Sequence, residues 1–154
     1  MQSTSFSIYD ASAGSGKTYA LVKEYLKIIL VAPKNDAYRH ILAITFTNKA
    51  VQEMKSRIVG SLSEFDKDEP NAKALDLMQD LAIDTQLSLI QIKTKAQQII
   101  KHIIHNYAAF DISTIDKFTH KVIRAFALDL NLPMTFEVTL DTENLLVETV
   151  DAII

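Results

Sequence analysis

The sequence predicts an α/β fold: a partial parallel sheet flanked by helices, with a helical insert. Two observations predict it. Apolar strand-like runs alternate with helix-like runs from the start of the chain, the pattern of strands joined by crossover helices. A small-residue turn also falls where the first apolar run gives way to helical periodicity. With 154 residues, 48% of them apolar, the chain can bury the core of one domain plus an appendage.

The elements run in order along the chain. "FSIYDA" (6–11) reads as a short buried strand. Thr18 to Val31 reads as a helix, with Leu21, Val22, Tyr25, Leu26 and Ile29 at helical spacing and Pro33 as its stop. "HILAITF" (40–46) is a second apolar strand, followed by a polar helix from Asn48 to about Leu62. The acidic "SEFDKDEPN" reads as a loop, and Pro70 suits the first turn of the next element. Two amphipathic helices come next, one marked by Leu75, Met78, Leu81 and Ala82, the other by Ile99, Ile100, Ile103, Ile104 and Tyr107. "DISTI" (111–115) is a third strand, leading to a helix through Phe118, Val122, Ile123 and Phe126. "NLP" breaks that helix, "TFEVTL" reads as a strand, and "TENLLVETVDAII" starts a capped helix. Four segments result: a core over 1–62, the insert over 63–110, a return to the sheet over 111–130, and a further subdomain begun over 131–154.

Composition narrows the class. No run of eighteen uncharged apolar residues exists, so no membrane span is expected. The start "MQSTSFSIYD" lacks the basic and apolar regions of a signal peptide, and zero cysteines leave neither disulfides nor thiolate metal sites. A cytoplasmic protein is expected. The net charge of −3 is unevenly spread: Lys and Arg outnumber acids over 1–60 and 93–124, and acids prevail over 61–92 and after Arg124. A polyanion meets the first and third of these segments on better terms.

Ala11, Ser12, Ala13, Gly14, Ser15, Gly16, Lys17 and Thr18 carry the strongest chemical signal. To hold a triphosphate, backbone N–H groups must converge on one concavity, which demands residues without bulky side chains, and a helix must start there to present its positive end. The segment supplies both, and holds two of the chain's three glycines. It fits the P-loop pattern with Ala in the first place. Lys17 would reach the β- and γ-phosphates and the Thr18 hydroxyl would ligate Mg²⁺. ATP and Mg²⁺ are the expected ligands. A P-loop alone leaves small-molecule kinases, GTPases and motor ATPases open.

"ILAITFTNKAVQEMKSRI" (41–58) resembles motif Ia of the UvrD/Rep-like superfamily 1 DNA helicases, with Val51 where that family usually has Ala. The resemblance implies a RecA-like P-loop NTPase core and contact with single-stranded DNA through Thr45, Phe46, Thr47, Asn48 and Lys49. The residues agree with it. They lie at the carboxyl end of a strand and the start of a helix, where α/β sheets bind ligands, and an aromatic ring there can lie against a base. For Phe46, plain core packing stays open, as does solvated surface charge for Lys49 and Arg57.

"ISTIDKFTHKVIRAF" resembles a second DNA-facing segment of these helicases, through Thr114, Ile115, Phe118 and a helix ending in Arg124. Asp116 and Lys117 depart from the family's His and small residue. Asp116 is a poor neighbour for a phosphate, whereas Lys117 compensates nearby. The long helical stretch between the two motifs resembles RecB/AddA-type helicase-nucleases. That likeness implies DNA repair, DNA substrates that are single-stranded or are duplex ends with single-stranded tails, and a second helicase-nuclease subunit in the role of partner.

The "DE-Q" box that supplies such motors with their metal-holding and water-polarising acids is missing, so no catalytic residue is expected in these 154 residues. Asp111 would lie at the wrong end of its strand, and Asp116 falls in the DNA-facing segment. The chain is expected to be the N-terminal piece of a longer protein, binding ATP weakly and neither hydrolysing it nor unwinding DNA. His102 and His105 lie three apart with no third ligand near in sequence and read as ordinary helix residues. Two alternatives remain. One is a complete small P-loop kinase with Asp116 as its metal-supporting acid, for which Arg39, Arg57 and Arg124 are a thin supply of lid arginines. The other is a non-catalytic interaction module built on the 70–108 helices.

Overall fold

The computed structural model describes residues 6, 8–9, 16–133, 135–136 and 142–153. It divides into two compact units, Met1–Thr114 and Ile115–Ile154.

The first unit is mostly helical around a small parallel sheet. Helix α1 (Lys17–Val31) starts at Gly16, whose φ of 84° lies in the left-handed region that favours glycine. It ends at Ala32, which turns extended ahead of Pro33 because a proline disfavours helical geometry in the residue before it. Val22, Tyr25, Leu26, Ile29 and Leu30 form its buried stripe, while Leu21, expected on that stripe, is exposed. Strand β1 (Ala43–Thr45) is shorter than the expected 40–46, since His40 closes a 3-10 turn over Ala37–His40.

Helix α2 (Asn48–Asp66) is capped by Thr47, whose hydroxyl accepts from the Ala50 amide at 3.1 Å. It runs four residues past its expected end near Leu62 and takes in part of the acidic stretch read as a loop. The cause is Phe65, fully buried three residues after Leu62, which extends the stripe Val51, Met54, Ile58, Leu62. Asn71 caps helix α3 (Ala72–Thr85) through the Ala74 amide, and Ser88 and Gln91 form a reciprocal capping box at the start of helix α4 (Leu89–His105).

The buried faces of α3 and α4 are rotated from those expected. Ala74, Leu77, Met78 and Leu81 are buried in α3, with Leu75 turned outward. In α4 the stripe is Ile92, Ala96, Ile99 and Ile103, leaving Ile104 exposed. Tyr107 falls in a 3-10 turn, Tyr107–Ala109, which delivers Phe110 into the core and leads to strand β2 (Ile112–Thr114). The core lies between α1, α2, α3 and α4, with β2 packed against α2. Buried Tyr38 is fixed among them by its hydroxyl, 2.9 Å from His102 Nδ1.

β1 and β2 pair in parallel, with Ala43 opposite Ile112, Ile44 opposite Ser113 and Thr45 opposite Thr114. Among the described residues these are the only strands. Phe6, Ile8 and Tyr9, from the expected first strand, carry no strand and are exposed. Ser7, Asp10 and Ala11 lie outside the described residues. Among the described residues β1 pairs only with β2, so Phe6, Ile8 and Tyr9 join no ladder.

The second unit holds helix α5 (Ile115–Ala125) and helix α6 (Thr142–Asp151). No residue of α5 is buried: Phe118 and Ile123 are half-buried, Val122 is exposed, and Phe126 lies past the helix end. Leu132 donates its amide to the Ala127 carbonyl at 2.8 Å, with Asn131 in a left-handed conformation, so the turn around "NLP" does end the helical path. Of the strand expected over "TFEVTL", residues 137–140 lie outside the described residues.

Candidate functional site

Two features at the edge of the first unit bear on chemistry. The first is the start of α1. Ala11 to Ser15 lie outside the described residues; Gly16, Lys17 and Thr18 are described. Gly16 has no side chain to cap the helix, and the first turn of α1 holds no acid. The leading amides and the positive end of the helix dipole are therefore directed at whatever precedes them, the physical requirement for holding an anion. Lys17 is exposed at that end and Thr18 is half-buried. Gly16 and these two residues fit the end of a triphosphate cradle. For a divalent ion the Thr18 hydroxyl is one oxygen ligand, and no group of three His, Cys, Asp or Glu able to hold a metal occurs among the described residues. A cavity of about 390 Å³ opens beside Lys17, lined also by Tyr9, Ala20, Leu21 and Glu24.

The second feature is the carboxyl end of the sheet. β1 passes into α2 through only Phe46 and Thr47. The Thr45 hydroxyl donates to the Thr47 carbonyl at 3.2 Å, closing the turn, while the Thr47 hydroxyl caps α2. Both hydroxyls thus hold the local backbone in shape. Phe46 between them is 85% exposed, a ring held on a rigid two-residue turn rather than in the core. Asn48 and Lys49 open α2 and are exposed. Beside them in the sheet, Thr114 ends β2, only 4% exposed and in register with Thr45. The two segments singled out in sequence, 41–58 and 112–126, are therefore adjacent where their strands end.

Ile115, Lys117 and Phe118 come directly after Thr114 in the chain and form the first turn of α5, in the second unit. Ile115 and Lys117 are exposed and Phe118 is half-buried. Asp116 is exposed in the same turn.

Sequence reasoning missed a set of contacts around α1. The Tyr19 hydroxyl donates to Asp80 Oδ2 at 3.1 Å, and the Lys23 ammonium lies 3.5 Å from Asp80 and 3.1 Å from Asp84. Burial works against the Lys23 charge, but the hydrogen bond and charge of Asp84, joined by Asp80, prevail and hold its ammonium above the usual lysine value. At the other end of α1, Lys95 donates to the Ala32 carbonyl at 2.9 Å. The one sequence signal for these ties was the i, i+4 spacing of Asp80 and Asp84 against that of Tyr19 and Lys23, which puts each pair on one helix face. His102, read as an ordinary helix residue, has a definite structural partner in Tyr38.

Comparison with known proteins bears on both features. The profile of the UvrD/REP helicase N-terminal domain family matches residues 3–153. The chain is 35% identical over 134 residues to a subunit of the ATP-dependent helicase/nuclease of Bacillus cereus (strain AH187), covering 87% of this chain and 9% of that protein. The same figures hold for the protein of that name from Bacillus thuringiensis subsp. konkukian (strain 97-27), and identity is 34% for that of Bacillus cytotoxicus. The chain thus spans about a tenth of the length of the curated relatives it matches. No solved structure matches it.

Proposed function

From a chain that belongs to the UvrD/REP helicase N-terminal domain family, we infer the nucleotide-binding end of an ATP-dependent DNA helicase, part of a helicase-nuclease acting in DNA double-strand break repair. The observation that supports this reading is the register of Thr45 with Thr114, which brings together, at the carboxyl end of one sheet, the strand ends of the two segments read as DNA-facing. In a RecA-like arrangement, Ala11–Thr18 would wrap the triphosphate of ATP, with amides of the loop and of the α1 start donating to phosphate oxygens. Lys17 would neutralise the β- and γ-phosphates, and the Thr18 hydroxyl would take one position on Mg²⁺.

Single-stranded DNA, or the single-stranded tail of a duplex end, would run over Thr45, Phe46, Thr47, Asn48 and Lys49. Thr114, Ile115, Lys117 and Phe118 would also contact DNA. Phe46 supplies a stacking face, Lys49 and Lys117 supply charge, and the amides at the start of α2 face phosphate. Fuel and track would then be held by neighbouring loops of one layer, so that a shift at the γ-phosphate is felt at the DNA. The acids that hold the metal and polarise water would come from other parts of a longer protein, as would the second motor domain. The core, insert, return and further-subdomain division at 62, 110 and 130 belongs to the same reading.

The relatives are named for one subunit of a helicase/nuclease, which supports a second subunit in the role of partner. No helix among the described residues is long and apolar enough to cross a membrane, in keeping with a protein that meets DNA in the cytoplasm. The small-molecule kinase alternative finds no support, since the family profile extends over residues 3–153 and the relatives are helicase/nuclease subunits. Binding of a fluorescent ATP analogue with Mg²⁺, and of a labelled oligo-dT, tests the reading on this chain. Lys17→Ala should abolish the first and spare the second, and Phe46→Ala should weaken the second and spare the first. A chain that turns over ATP onto small acceptors without DNA would overturn it.

A further inference from the structure

We propose that Asp80 and Asp84 of α3 are positioning residues for Lys17 and Thr18 at the start of α1, which makes the helical insert part of the support of the nucleotide site. The proposal rests on the reading that the loop before α1 holds ATP. Its structural basis is the way α1 is fastened. Tyr19 follows Thr18 directly, and its hydroxyl is hydrogen-bonded to Asp80. One turn on, Lys23 is held between Asp80 and Asp84. At the far end, where α1 has no basic residue of its own in the last turn, Lys95 of α4 reaches the Ala32 carbonyl at 2.9 Å and the Pro33 carbonyl at 3.5 Å. Both ends of α1 are thus tied to the two helices of the insert, while the apolar stripe from Val22 to Leu30 holds its middle.

These ties do more for placement than for bulk stability. Asp80 and Asp84 are 48% and 32% exposed, so neutralising them opens no cavity and removes no core. The groups that would meet phosphate, Lys17 and Thr18, lie in the first turn of α1, ahead of Val22, its first buried residue. A site of this kind needs its groups within about 0.5 Å of productive geometry, which requires side chains just behind them to be locked. Tyr19 and Lys23 are the side chains placed to do that, and α3 locks them. Displacement of α3 by anything docking on the insert would then reach Lys17 through Asp80 and Asp84.

The test compares wild-type chain with Asp80→Asn/Asp84→Asn, with Lys23→Glu, and with the swap Lys23→Glu/Asp84→Lys. Amide hydrogen exchange without nucleotide is read first. The double Asn variant should exchange about fivefold faster at amides 20–23, the upper end for losing a partly exposed ion pair. Amides 51–62 of α2 should be unchanged, and the swap should restore most of the protection lost in Lys23→Glu. The dissociation constant for a fluorescent ATP analogue with Mg²⁺ should rise by a similar factor, about fivefold, and recover in the swap. Unchanged exchange at 20–23, or acceleration spread equally over α1 to α4, overturns the proposal while leaving the ATP reading intact. A wild-type chain that binds no analogue sinks the ATP reading, and this role of α3 with it.

Discussion

Thr45 and Thr114 stand opposite each other as the last residues of two parallel strands, 69 positions apart in the chain. The pairing sets the first turn after β1, with Phe46 at its tip, beside the point where β2 ends. Because Thr45 and Thr47 spend their hydroxyls on the turn itself, Phe46 is displayed by a fixed backbone rather than by a loose loop. Phe46→Ala should therefore leave stability within about 0.5 kcal/mol, since the ring is 85% exposed. Binding of single-stranded oligo-dT should weaken by about 1–3 kcal/mol, the value of one lost base–aromatic stack. Fluorescence anisotropy at fixed salt measures the second and urea denaturation the first.

Tyr38 gives the opposite expectation, a stability effect with no direct path to ligand. Its ring is fully buried against Tyr25's neighbour Phe110, at a centroid distance of 6.0 Å, and its hydroxyl bonds His102 Nδ1. Tyr38→Phe keeps the packing and strands a polar partner, so a loss of about 1 kcal/mol is expected. Tyr38→Ala empties the site and should cost about 3–5 kcal/mol. Urea denaturation midpoints of the two variants give the comparison, and equal losses would mean that the hydrogen bond rather than the ring is what counts.

These two residues also mark what the sequence could convey. The limits of α1 were legible because they are local: Gly16 opens it and Pro33 stops it, each by its own backbone restriction. The caps at Thr47, Asn71 and Ser88 are equally local but were not read, and Pro70, expected in the first turn of α3, lies just before the cap Asn71. The end of α2 was not, since "SEFD" is polar on average and only packing against other helices makes Phe65 a core residue. Likewise the faces of α3 and α4 depended on a rotation of a few tens of degrees, which Leu75 and Ile104 could not reveal from spacing alone. For the site, residue types and motif order were legible at 11–18, 45–49 and 114–118. The register of Thr45 with Thr114 and the ties from Tyr19 and Lys23 to Asp80 and Asp84 were not, because each joins elements separated by scores of residues.

The junction between α2 and the insert should respond to acid. Lys67, by hydrogen bond, and then the backbone amide of Asn71 hold the Glu64 carboxyl below the usual range, and the Lys93 ammonium, 2.7 Å away, does the same for Asp68. A carboxylate whose folded-state pKa is depressed adds stability that is fully present above its unfolded value, about 4, and is lost as pH falls through the lower folded value. The melting temperature of the wild-type chain should thus exceed that of Lys67→Met/Lys93→Met by a small margin at about pH 7, and the two should converge at about pH 3. Asp68 is exposed and Glu64 half-buried, so the margin should also shrink in high salt, chiefly through the Lys93 pair. A gap that widens on acidification would contradict the assignment.

Gly16 and Gly60 make a matched pair whose alanine variants should move stability in opposite directions. Among the described residues neither glycine has an atom within 4 Å of where a Cβ would stand. Gly60 lies inside α2 with helical neighbours on both sides, and Gly60→Ala should stabilise the chain by about 0.5–1 kcal/mol, chiefly by restricting the unfolded state. Gly16 has φ of 84°, where an L side chain costs roughly 1–2 kcal/mol, only partly offset by the same unfolded-state gain. Gly16→Ala should therefore destabilise, or else keep its stability by turning the α1 start into a new conformation. In the second case the leading amides of α1 leave their directions and affinity for an ATP analogue should fall, whereas it should hold in Gly60→Ala. Urea denaturation and analogue titration on the two variants decide it. Gly16→Ala with wild-type stability and wild-type affinity would show that the left-handed residue before α1 is dispensable to the loop.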